Sequence, residues 1–219
     1  MDIFDRNNLI LLVLAILFHY PASSGYVWDD TLLIELNPWK NSLHNLRFVW
    51  ENSLWSGIPG EHVDHWYRPL MGTHILLDQW LFGDALSGKQ WISLAWFTGG
   101  MILLNGWLQS VLGLSRNQSL WIVGLLTLHP YSLELTQFIA ARNDTMALTF
   151  ALGIPFIIQR PPTLVHHIGV ALLMFCTLCS KESGLMWVCL FMLPIYTKVP
   201  KYWSSLVSGF TMWMVLKSN

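Results

Sequence analysis

Residues 69–83 read P-L-M-G-T-H-I-L-L-D-Q-W-L-F-G, and whether this stretch crosses a membrane or lies on its surface decides how the rest of the chain is organised. As a helix, this stretch rises about 22 Å, short of the roughly 30 Å hydrocarbon core of a bilayer. His74 and Asp78 stand four residues apart and share one face. The pattern predicts an interfacial helix that does not cross.

Upstream lies a polar segment. Residues 26–68 hold Asp29, Asp30, Glu35, Lys40, Arg47, Glu51, Glu61, Asp64 and Arg68, nine of the chain's 25 charged residues. No lipid-spanning helix carries such a load, because each charge at the bilayer centre costs about 2.5–3.5 kcal/mol on insertion scales. Residues 26–90 therefore read as a large first extracytoplasmic loop with juxtamembrane helices. Before it, residues 9–22 are apolar up to Pro21 and form a first span. A signal-peptide core is the alternative reading, with small residues at Ala22–Gly25, but Asp2, Asp5 and Arg6 make a weak positive flank.

Downstream, apolar runs fall at 91–113, 119–138, 143–159, 163–180, 184–198 and 202–216, the second interrupted by Pro130. With the first run these make an all-α, polytopic bundle of about seven transmembrane helices, one module over 1–219. The composition agrees. Apolar types make up 53% of the 219 residues and charged types 11%, with a mean hydropathy of +0.44 and thirteen Trp; a soluble domain carries roughly 25% charge. Net charge is −1, which leaves no basic field for nucleic acid. Cys176, Cys179 and Cys189 sit in apolar runs and read as packing thiols rather than a disulfide framework.

Charge sorting fits a non-crossing 69–83. With the amino terminus inside, the inner loops carry Arg116, Arg160, Lys198 and Lys201 and no acid, whereas each outer turn mixes signs. Asp29, Asp30, Arg68, His129, Glu134, Arg142, Asp144, Lys181 and Glu182 then gather on one extracytoplasmic face. Converging acids and bases at one end of a bundle point to a site that holds a charged group beside an acid–base residue. Taken singly, each piece has an ordinary explanation. Asp29-Asp30 can cap a helix beginning near Thr31, Arg68 can anchor at the interface, His129 can end a helix at Pro130, Glu134 can pair with Arg142, and Lys181-Glu182 can mark a loop.

The order of the pieces is more specific: D-D with Ile34 and Asn37, Y-R-P-L at 67–70, H-P-x-x-x-E at 129–134, R-x-D at 142–144 and K-E-x-G at 181–184. It resembles the GT-C superfamily of membrane glycosyltransferases, most nearly the transmembrane and tetratricopeptide-repeat O-mannosyltransferases and their bacterial relatives, over residues 20–190. The resemblance implies a seven-span module with a large outer loop. It also implies transfer of a mannose-like sugar, with inversion, from a polyprenyl- or dolichyl-phosphate donor to an acceptor hydroxyl on a protein or glycan. On that footing Asp29 is the base and Asp30 its second or an orienting partner. Arg68, Arg142 and Lys181 bind the donor phosphate, supported by His129, Glu134, Asp144 and Glu182. Ala141 and Asn143 depart from the family's usual small residues. The chain also ends at Asn219, where members continue, which fits a minimal module, a piece of a longer protein, or a scaffold without activity.

No resident cofactor is implied. A divalent cation is used by some relatives; Glu61-His62-Val63-Asp64-His65 gathers ligand types without any standard zinc spacing. The sequons at Asn117 and Asn143 fall in an inner loop and in the site. The reading places the chain in a bacterial inner membrane, with the endoplasmic reticulum as the alternative. The competing class is an inactive accessory subunit of a larger membrane complex. A transporter is disfavoured because neither repeated halves nor charges at span centres occur.

Overall fold

The computed structural model describes residues 5–21, 25–26, 28–58 and 66–218, and every regular element among them is helical. Helix α1 (Arg6–Phe18) starts where the Asp5 carboxylate accepts from Asn7 N. A π-helical turn (Thr31–Glu35) and a short helix α2 (Leu46–Glu51) follow in the polar segment. Helix α3 (Pro69–Phe82) opens with proline in its first turn and closes at Gly83, whose φ of 54° favours a residue without Cβ. Helix α4 spans Leu86–Ser110. Helix α5 (Arg116–Thr127) begins with a reciprocal capping box between Ser115 and Gln118.

The run 119–138 is not one helix. It breaks after Thr127, where Pro130 lacks the N–H that would continue the ladder. Residues 130–141 then proceed through a 3₁₀ turn, the single-turn α6 (Glu134–Gln137) and a second 3₁₀ turn (Ile139–Ala141). Helices α7 (Arg142–Ile158) and α8 (Leu164–Ser180) follow, then α9 (Gly184–Met192). The run 184–198 likewise stops early. Pro194 and Pro200 turn residues Leu193–Tyr202 into 3₁₀ structure with a kink at Ile195, before α10 (Trp203–Ser218).

Side-chain contacts at the helix ends give the topology. At one end, Asn7 of α1 donates to Arg116 O at the start of α5, and Asn105 of α4 donates to Asn8. At that same end Tyr202 donates to Arg160 O, and His167 pairs with Ser205. At the other end His19 meets Thr127 O and Thr136, and Arg142 bonds Ser93 and the carbonyl of Lys89. Among the described residues, α1, α4, α5, α7, α8, α9 with its 3₁₀ extension, and α10 thus run between two ends of one bundle.

Helix α3 does not run between those ends. Arg68, its N-cap, pairs with Glu182 in the α8–α9 turn, and Asp78 near its other end pairs with Arg142 at the start of α7. Both anchors belong to the same end, so α3 lies across that end. It rests on a second apolar cluster built from Leu33, Ile34, Trp39, Val49, Met71 and Ile75, separate from the main core between the long helices. The polar segment and α3 together form a lid-like layer over one end of the bundle.

The outer surface is inverted relative to a water-soluble bundle. Leu9, Val13 and Leu17 of α1, Trp121 and Leu125 of α5, Val165 and Leu172 of α8, and Met212 and Val215 of α10 point outward, while Asn8, Lys89, Asn105 and Arg142 are buried. Leu86–Ser110 is the one described helix long and apolar enough to cross a membrane by itself. Arg6–Phe18 and Leu164–Ser180 are apolar but shorter.

Candidate functional site at the capped end of the bundle

The two adjacent aspartates take opposite environments. Asp30 is buried, and its carboxylate accepts from Ile139 N at 2.8 Å and Ala140 N at 2.6 Å, 109 and 110 residues away. The expected cap on the helix near Thr31 is therefore not made. Asp30 already has helical φ and ψ, so its side chain does not fold back on its own turn, and it instead satisfies the orphan N–H groups opening the Ile139–Ala141 turn. Burial pushes the Asp30 carboxyl up to about 6, against the pull of those two N–H bonds and of Arg142. Asp29 is exposed. It follows Trp28, whose φ of 50° puts a bulky side chain in the left-handed region, a conformation costing on the order of 1–3 kcal/mol. Two other residues of the same motif have structural roles. Ile34 fills the second core, and Asn37 closes the turn by donating to Leu33 O and accepting from Trp39 N.

Two ion pairs lie where the α8–α9 turn meets the start of α7. Lys181 Nζ donates to both oxygens of Asp144 at 2.7 Å, and Arg68 Nε donates to Glu182 Oε2 at 3.1 Å with its guanidinium 4.5 Å from the Trp66 ring centroid. Of the three acids expected to hold the cations, Asp144 pairs with Lys181 and Glu182 with Arg68, and Glu134 pairs with neither. Two buried acceptors, Asn143 Oδ1 next to Asp144 in sequence and Glu182 Oε1 on the carboxylate that pairs with Arg68, have no hydrogen-bond donor among the described residues. An unpaired buried acceptor costs on the order of 1–3 kcal/mol.

Arg142 is withdrawn from this surface. Its side chain is fully buried; NH1 donates to Asp78 Oδ2 at 2.6 Å, Nε to Ser93 at 3.0 Å and NH2 to Lys89 O at 2.7 Å. The expected Glu134–Arg142 pair is replaced by Asp78–Arg142. Glu134 sits exposed in the first turn of α6 and makes no ion pair among the described residues. His129 is also exposed, with Nδ1 accepting from Tyr131 N at 3.2 Å, so it caps the turn after Pro130. Neither is brought into contact with Arg68 or Lys181.

The sequence reading missed Lys89, a buried ammonium that donates to Gln79 at 3.0 Å and Tyr26 at 3.2 Å. It also missed the unsatisfied amide of Asn143. The available signal was a charge inside an otherwise apolar run, at Asp78 and at Lys89, since each must find a partner when buried. His74, on the Asp78 face of α3, packs its ring 5.6 Å from that of Trp96; burial and the nearby Arg142 lower its pKa to about 4, so it is neutral. The Glu61–His65 cluster lies outside the described residues. Among the described residues no group of three or more His, Cys, Asp or Glu is placed to hold a metal ion. All three cysteines are free: Cys179 is buried, Cys176 half-buried and Cys189 exposed.

No protein-family model, curated protein or solved structure matches this chain.

Proposed function

We propose that the chain is a membrane-embedded glycosyltransferase of the GT-C type, whose seven helical segments span the bilayer and whose capped end faces the extracytoplasmic side. The donor is a polyprenyl- or dolichyl-phosphate sugar, and the acceptor is a hydroxyl on a protein or glycan. One observation carries this reading. Arg68 and Lys181 meet at the α8–α9 turn through their pairs with Glu182 and Asp144, and among the described residues the buried Glu182 Oε1 keeps no donor, a set suited to a ligand with both hydroxyls and a phosphate. The apolar outward faces of α1, α5, α8 and α10 support embedding even though several segments are short.

In this reading the acceptor hydroxyl attacks the anomeric carbon from the face opposite the lipid phosphate. The carbon–oxygen bond to phosphate breaks, and its electron pair stays on the phosphate oxygen, so configuration inverts. Asp29 takes the hydroxyl proton; it is exposed where Asp30 is not. Arg68 and Lys181 stabilise the charge that develops on the leaving phosphate. Arg142, with three nitrogens committed internally, positions the start of α7 and thereby Asn143 and Asp144.

The test is incubation of the purified chain in lipid nanodiscs with a radiolabelled polyprenyl-phosphate mannose and a hydroxyl acceptor. Transfer by the wild type that is lost in Asp29→Asn supports the proposal. Absence of both transfer and donor binding overturns it.

A second reading has its own observation. Arg68 and Lys181 are already neutralised by carboxylates, so a phosphate must displace Glu182 and Asp144. A chain that keeps this scaffold as an accessory subunit of a membrane complex would show the same pairs. It would co-purify with that complex and bind no lipid-phosphate sugar.

A further inference from the structure

Helices α9 and α10 are consecutive, yet each packs chiefly elsewhere, α9 on α7 and α10 on α8. The cause is the proline-rich 3₁₀ stretch between them. A helix of nine residues cannot reach across the bundle, and the kink at Ile195 sends the chain sideways before α10 starts. The two helices therefore diverge and leave a cleft. Met174 of α8 forms its floor, Val188 and Met192 one wall, and Leu206 and Phe210 the other, enclosing about 320 Å³. It merges at Val199 and Trp203 with an outer hollow of about 560 Å³.

The stretch that edges the hollow, around Val199 and Pro200, carries two lysines adjoining those lining residues in sequence. Lys198 and Lys201 are exposed and form no ion pair with a described residue, and exposed Tyr196 and Trp203 flank them. This rim belongs to the end of the bundle opposite the candidate site, where Tyr202 meets Arg160. The inner cleft is too small for a partner helix, one turn of which, about 10 Å wide and 5.4 Å in pitch, fills roughly 400 Å³. A thin hydrocarbon chain fits. Unpaired lysines with interfacial aromatics match an anionic headgroup.

We propose that the α9–α10 cleft is a binding site for an anionic phospholipid, with an acyl chain against Met174, Val188 and Leu206 and the phosphate between Lys198 and Lys201. This site rests on the membrane reading above but not on the glycosyltransferase chemistry, and it is separate from the donor site. The bound lipid fills the gap that the short α9 leaves and fixes α10 against α8.

The test uses nanodiscs of phosphatidylcholine doped with phosphatidylglycerol bearing a diazirine in its acyl chain, followed by peptide mapping after irradiation. Labelling concentrated on α9 and α10 wall residues is expected. It should be competed by phosphatidylglycerol but not by phosphatidylcholine or inorganic phosphate, and should fall about fivefold for each of Lys198→Gln and Lys201→Gln. Val207→Trp, which fills the cleft from α10, should abolish it while gel filtration stays unchanged. Labelling spread evenly over the outward faces of α1, α5 and α8, or indifferent to the lysines, would overturn the site alone. So would capture of a second copy across the cleft. Failure of the protein to enter nanodiscs would overturn the membrane reading and the site together.

Discussion

Asp29 and Asp30 are adjacent in sequence and differ in everything that matters chemically. Asp29→Asn is expected to lower sugar transfer by at least about 100-fold without shifting the melting temperature, because it removes a proton acceptor from an exposed position. Asp30 acts on stability instead. Its folded pKa, pushed up to about 6 mainly by burial, lies above the ordinary 3.8. The folded state therefore favours the neutral carboxyl. That contribution is complete below pH 3.8 and is lost as pH rises through 6, a loss of about 3 kcal/mol. Thermal melts between pH 4 and pH 6 should show a falling limb in the wild type that Asp30→Asn flattens. Arg142 is a third case. Removing its charge alone, in Arg142→Met, strands the Asp78 carboxylate in the interior and should cost about 3–5 kcal/mol. The double variant with Asp78→Leu should recover much of that, read from denaturation midpoints of the four species in one detergent. The charges themselves were visible in the sequence, but the partner of Arg142 was not. Glu134 is eight residues away and Asp78 sixty-four, and only the lay of α3 decides between them.

At the scale of elements, the run 69–83 predicted a helix, and α3 occupies Pro69–Phe82 across one end of the bundle. The long helices were legible in their apolar runs. Their ends were less so, because proline acts through a missing N–H and a fixed φ that hydropathy does not register. Hence 119–138 became α5 plus turns, and 184–198 became a nine-residue helix with a 3₁₀ tail. Close packing between elements depends on glycine. A Cβ on Gly209 would fall inside contact with the backbone oxygen of Ala171 and lie 2.8 Å from Met174 Cβ. Gly209→Leu should push α10 off α8 and cost about 1–3 kcal/mol, seen as a lower melting temperature and faster proteolysis near α10.

For the whole molecule, the testable consequence is sidedness. Single cysteines at the exposed positions Asp29, Ala85 and Glu134, in a background lacking the native thiols, should react with an impermeant thiol reagent from one side of a sealed vesicle. Those at Asn117 and Lys198 should react only from the other. Reaction of Asp29 and Ala85 from opposite sides would mean that α3 threads the bilayer, and the common site would be lost. The sequence by itself determined that this chain is helical and apolar and where its polar residues cluster, since these follow from composition and periodicity. Only the tertiary structure decided which charges neutralise one another, that Arg142 is interior while Arg68 and Lys181 pair at the α8–α9 turn, and that among the described residues Asn143 and Glu182 keep acceptors without donors. Those outcomes depend on which atoms come within 3 Å after helices from distant parts of the chain have packed, and no local pattern of residues encodes that distance.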